Sequence, residues 1–68
     1  MNRLDELIEE LSSLNERLRQ LEETDYMTAY YKGYSASGLT LEEIREQMTD
    51  LRQRIAQVEQ QLDDSSYN

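Results

Sequence analysis

Two leucine-rich stripes, spaced as heptads and arranged as mirror images, constrain this chain more than any other feature. Leu4, Leu7, Leu11, Leu14, Leu18 and Leu21 follow one another at alternating intervals of three and four residues, and so do Leu41, Ile44, Met48, Leu51, Ile55, Val58 and Leu62. An unbroken alternation of this kind gives a helix one apolar seam and marks helices that pack side by side. Ile8 widens the first seam on one flank. The seams also match in reverse. Leu21 pairs with Leu41, Leu18 with Ile44, Leu14 with Met48, Leu11 with Leu51, Leu7 with Ile55 and Leu4 with Val58, and the residue numbers of every pair add to the same total. A chain folded back on itself aligns all these layers at once. In that register Glu10 faces Arg54 and Glu22 lies near Arg45, pairs that favour the register more than they stabilise it. An intermolecular antiparallel pair would satisfy the same seams, but the intervening linker raises the effective concentration of the second helix and favours the hairpin.

The expected fold is therefore mainly α: an antiparallel, coiled-coil-like hairpin of two helices in a single domain spanning 1–68. The helices are expected over 3–23 and 41–63, with a Tyr-rich linker over 24–39 and a flexible tail over 64–68. Asn2 opens the first helix, with Asp5 and Glu6 in its first turn. Thr40 followed by Glu43 forms a capping box for the second, and Leu39 before the cap is placed to pack on Ile44 as a hydrophobic staple. Glu22, Glu23 and Asp25 sit badly near a helix C-terminus, where the dipole disfavours acids, so fraying is expected near Thr24. Asp63 and Asp64 place the same strain on the end of the second helix.

The linker is longer than the roughly 2–8 residues that join two packed helices. It carries four of the five tyrosines (Tyr26, Tyr30, Tyr31 and Tyr34) together with both glycines and the single lysine, Lys32. Two structures suit it. Thr and Tyr favour strands, and Lys32-Gly33 could form the turn of a short β-hairpin joining Tyr26–Tyr31 to Tyr34–Ser37. Alternatively the first helix extends to Lys32 and stops at Gly33, which pairs Tyr26 with Tyr30 one turn apart. Against the extension, Asp25 and Thr28 fall on the next two seam positions.

Chemistry is scarce. The chain has no His and no Cys, which removes the usual general base near neutral pH, thiolate metal sites and disulfides. The carboxylate pairs Asp5-Glu6, Glu9-Glu10, Glu22-Glu23, Glu42-Glu43 and Asp63-Asp64 are adjacent in sequence. Neighbours on a helix point about 100° apart, so these pairs read as solvated faces rather than as acid/base or metal sites. No catalytic residue, cofactor or metal is expected, and the chain reads as a non-enzyme. Its net charge of −8, from 15 acids and 7 bases, repels nucleic-acid phosphates, and the bases Arg3, Arg17, Arg19, Lys32, Arg45, Arg52 and Arg54 are dispersed rather than striped. Direct sequence-specific nucleic-acid binding is not expected. With no apolar run of about 20 residues and no secretory leader pattern, neither membrane insertion nor export is expected, and an intracellular location is the default.

What remains is protein interaction. Tyrosine is enriched at protein interfaces, and Tyr26, Met27, Tyr30, Tyr31 and Tyr34 are the candidate contact residues; equally, the rings could cap the open end of the hairpin. Two helices also leave the outer side of each seam uncovered, so association with other copies or with a partner is expected to complete the fold.

The stretch from Tyr30 to Gln47, in which Tyr30-Tyr31-Lys32-Gly33-Tyr34 leads into Leu41-Glu42-Glu43-Ile44-Arg45-Glu46-Gln47, resembles small phage head-completion proteins of the gpW-like group. The similarity of layout covers about residues 4–62: a Leu-rich helix, a linker with Tyr and Gly, and a capped second helix. The chain departs from that group in its Tyr-rich linker and acidic tail. The resemblance implies a short hairpin between the helices. It also implies a structural role as a head–tail connector subunit, oligomerising as a ring on a portal and residing in the virion. An acidic helical inhibitor or adaptor, mimicking DNA phosphates or docking through its Leu seams on a basic or helical protein, is the alternative expectation.

Overall fold

The computed structural model describes residues 2–65 and shows a rod of two antiparallel helical arms, 49 × 19 × 14 Å in extent. The first arm comprises α1 (Arg3–Gln20), a π-helical turn (Leu21–Asp25) and α2 (Tyr26–Lys32); the second is α3 (Leu41–Ser65). No strand is present among the described residues. Among them, no helix is long and apolar enough to cross a membrane.

α1 starts where its capping chemistry predicts. The Asn2 side-chain oxygen accepts a hydrogen bond from the Asp5 backbone N–H at 2.8 Å, and Asp5 and Glu6 lie in the first turn, where the dipole favours acids. The helix does not fray at Thr24. Gln20, Asp25 and Tyr26 all keep right-handed helical dihedrals, so the arm runs unbroken to Lys32. The β-hairpin that was one of two structures expected for the linker, and that the head-completion resemblance also implies, is thus replaced by helix as far as Lys32. The acids expected to destabilise a terminus are interior and paired instead: Glu22 with Arg52 at 3.5 Å, Glu23 with Arg19 at 3.3 Å and Asp25 with Arg17 at 3.8 Å.

The π turn resolves the objection to helix extension. A plain α-helix would carry Asp25 and Thr28 into the seam after Leu21. Here the Tyr26 N–H bonds back to the Leu21 carbonyl, five residues earlier, which inserts one residue into the ladder. Everything downstream shifts by one position. Ala29 becomes fully buried, and Tyr26 packs half-buried against the same cluster. The inserted residue thus exchanges a polar seam for an apolar one.

The first arm ends at Gly33, whose φ of +92° lies in the left-handed region and whose N–H bonds to the Ala29 carbonyl at 2.8 Å. Lys32 in the last turn suits the dipole. The connection then folds around Ser35, a buried polar side chain. Its backbone N–H donates to the Leu39 carbonyl at 2.8 Å, its Oγ accepts from the Leu39 N–H at 3.1 Å, and its carbonyl accepts from the Gly38 N–H at 2.9 Å. The capping box is present. The Glu43 N–H donates to Thr40 Oγ1 at 3.2 Å, and the Thr40 N–H donates to Glu43 Oε1 at 3.1 Å. Leu39 packs against the cluster that contains Ile44, as a staple requires. α3 runs through Asp63 and Asp64 to Ser65, two residues past the expected end, so Asp64 and Ser65 belong to helix rather than tail. The rest of the expected tail, 66–68, lies outside the described residues.

The main core sits towards the closed end: Leu21, Ala29, Ile44 and Met48 are buried, with Leu18, Tyr26, Leu39, Leu41 and Leu51 packed against them. Leu7 and Val58 are buried towards the other end. Along one flank the arms are tied by Arg3 to Gln61, Glu10 to Arg54 and Arg17 to Gln47. The layers do not keep the expected register: Met48 and Leu51 pack in one cluster with Leu21 and Leu18 rather than against Leu14 and Leu11, because the first arm continues to Lys32 and moves the turn further along the chain. The expected Glu10–Arg54 pair forms, at 2.7 Å. The expected proximity of Glu22 to Arg45 gives way to Glu22–Arg52, while Arg45 donates to the Tyr26 hydroxyl at 3.3 Å. The extension of the first arm brings Tyr26 alongside α3 and occupies Arg45 there.

Candidate protein-interaction surface

Because α2 is helical, its residues sort by face. Ala29 points into the core and Tyr26 lies against it. Arg45 sits 5.9 Å from the Tyr26 ring centroid, a cation–π distance, and the hydrogen bond to this tyrosine, with its charge interaction, raises the Arg45 pKa. Tyr26 is therefore a structural residue of the arm junction, half-covered rather than offered to solvent.

The other four candidate contact residues are all exposed. Met27, Tyr30 and Tyr31 follow the i, i+3, i+4 spacing of one helical stripe, and Tyr34 follows just beyond Gly33. They are 47%, 63%, 76% and 58% exposed, so about half or more of each side chain is available to a partner. Tyr30 and Tyr31 meet edge to face, 5.3 Å between centroids at 86°. That arrangement suits ring quadrupoles and orders two large side chains in advance. The tip is also electrically distinct: no Asp or Glu occurs from Tyr26 to Leu41, and Lys32 makes no hydrogen bond or ion pair among the described residues.

The seam residues divide by depth. Leu7, Leu21, Ile44, Met48 and Val58 are buried; Leu11, Leu14, Leu18, Leu41, Leu51, Ile55 and Leu62 are half-buried; Leu4 is exposed. The half-buried set shows that two helices cover only one side of each seam. On the uncovered side of α1 lies a shallow, open groove of about 490 Å³ formed by one face of that helix alone, lined by Ile8, Leu11, Ser12, Asn15, Glu16 and Arg19. The sequence signalled it only through Ile8, the residue that widens the seam. Glu16 and Glu23 bracket Arg19, with Glu16 at 2.6 Å, and raise its pKa, Glu16 contributing most. Among the described residues no group of three or more His, Cys, Asp or Glu is placed to hold a metal ion.

Comparison with protein-family models, with curated proteins and with solved structures finds no match to this chain.

Proposed function

We propose that this chain is a non-enzymatic docking module whose contact surface is the aromatic tip formed by Met27, Tyr30, Tyr31 and Tyr34. One observation carries the reading: four large apolar or aromatic side chains in near succession are held on the outward face of a capped helix and its end, each about half exposed or more. A structural cap would cover these rings, as Tyr26 is covered. Exposed aromatic residues on a rigid element are what a binding hot spot requires, since little side-chain freedom is lost on contact. The head-completion reading is narrower. It requires a hairpin that the described residues do not contain, so the broader role is the one the geometry supports.

Site-specific photo-crosslinking tests it. A photoreactive residue replacing Tyr31 is expected to give one discrete adduct that excess wild-type chain competes away, while the same residue replacing Gln53 on the outer face of α3 gives none. Equal labelling at both positions, or no competition, refutes the tip as the docking surface.

A further inference from the structure

We propose that the tip of one copy docks into the α1 groove of another, joining copies head to shaft. This rests on the docking reading and names its partner. The two surfaces complement each other chemically. The groove has an apolar floor in Ile8 and Leu11 and hydrogen-bonding groups in Ser12 and Asn15, a combination that suits a phenol, apolar along the ring and polar at the hydroxyl. Asp5 and Glu9, on α1 within one turn of Ile8, make no ion pair among the described residues, while at the other end of the groove Glu16 is paired with Arg19 at 2.6 Å; the acidic rim is therefore the Ile8 end. The tip brings the opposite sign: Lys32 is unpaired among the described residues, and the stretch around it holds no carboxylate. Opposite charges at the rim steer and orient such an encounter.

The geometry makes the contact intermolecular. Asn15 and Tyr31 belong to the same continuous arm, sixteen residues apart, which is about 24 Å of helix at ~1.5 Å per residue. A molecule cannot fold its own tip into its own groove. Each copy therefore carries one tip and one groove, two different surfaces, and the contact is heterologous. Growth continues past the dimer unless the series closes. Side-by-side pairing is disfavoured by the net charge of −8, leaving the tip as the region that can approach an acidic shaft without repulsion.

Sedimentation equilibrium across a concentration range at low salt tests the proposal. The wild-type mass average is expected to rise beyond the dimer with concentration and to fall as salt screens the rim charges. Tyr30→Ser/Tyr31→Ser at the tip and Ile8→Glu in the groove are each expected to weaken association at least roughly tenfold. All three positions are half exposed or more, and circular dichroism checks that helix is retained. Ser12→Arg, at an exposed position, is the second groove variant should Ile8→Glu lose its fold. The decisive mixture combines the tip variant, whose groove is intact, with a groove variant, whose tip is intact: it is expected to form a heterodimer and stop there. A wild-type chain that stays monomeric at all concentrations overturns the head-to-shaft contact, while a competed Tyr31 adduct would leave the docking reading standing with another partner. Association that survives both groove variants, or a mixture that remains monomeric, also overturns it.

Discussion

Deleting Thr24 should leave the hairpin folded, although removing one residue from the middle of a helix ordinarily rotates everything beyond it by about 100°. The reason lies in the π turn. Tyr26 and Ala29 are five and eight residues beyond Leu21, and they reach the seam only because the Tyr26 N–H bonds back five residues. Without Thr24 those intervals become four and seven, the ordinary heptad spacing, and a regular α-helix carries the same side chains to the same places. Thr24 is exposed, and its carbonyl accepts a hydrogen bond from the Thr28 hydroxyl at 3.0 Å, which a neighbouring carbonyl or water can replace. One regular backbone hydrogen bond is worth about 0.5–1.5 kcal/mol net. Against that, disturbing the Arg17–Asp25 pair costs only the ~0–1 kcal/mol of a surface ion pair, so stability should change by no more than about 1 kcal/mol. The control is deletion of Gln53, also exposed, where no π turn absorbs the change. It rotates Ile55, Val58 and Leu62 out of the seam. Val58 is fully buried and accounts for ~1.5–3 kcal/mol, with about 1 kcal/mol for each of its half-buried neighbours. That total is comparable to the ~3–5 kcal/mol a core of this size supplies. Urea unfolding followed by far-ultraviolet circular dichroism separates the cases: a transition like wild type for the Thr24 deletion, and loss of the cooperative transition for the Gln53 deletion. Equal damage from both would refute the account of the π turn as a register correction.

Four further substitutions test other parts of the structure. Ile44→Ala empties a fully buried position in the main cluster and should cost ~2–5 kcal/mol, seen as a lower urea midpoint or outright loss of helix. Thr40→Ala removes the α3 cap and should cost about 0.5–2 kcal/mol by the same measurement. At Gly33 an added Cβ would meet nothing within 4 Å, so Gly33→Ala carries only the strain of a φ of +92°, about 1–2 kcal/mol. A double-mutant cycle on Glu10 and Arg54, each substantially exposed, should give a coupling of no more than ~1 kcal/mol that shrinks as salt is added.

The seams, the Asn2 start and the Thr40–Glu43 box were legible because each is a local rule: spacing, a capping oxygen, a partner three residues on. Heptad counting failed beyond Leu21 for a definable reason. It assumes one fixed number of residues per turn, and a single π turn breaks that assumption while keeping the chain helical. Asp25 and Thr28 on the continued seam argued correctly against a regular α-helix but not against helix itself. Nothing in the composition of Leu21–Asp25 distinguishes the two. Ala29 was invisible for a related reason: a small residue enters a core by the register imposed on it, not by its own hydrophobicity.

The same fixed period hid what the linker does. A β-hairpin would have alternated the side chains of Tyr30 and Tyr31 to opposite faces of a ribbon; the helix sets them on adjacent positions of one outward stripe with Met27. Extending the first arm also removes a mid-rod terminus that would have left Glu22, Glu23 and Asp25 against the negative end of the dipole, and converts them into partners for Arg52, Arg19 and Arg17. Both consequences push in one direction. Carboxylates near the junction are engaged along the shaft, and the stretch beyond them, from Tyr26 to Leu41, has none. An acidic rod repels its own kind along its length, which keeps the half-covered seams from associating indiscriminately. The carboxylate-free aromatic end is the place where close approach costs least, so the charge distribution and the apolar surface select the same region of the molecule for docking.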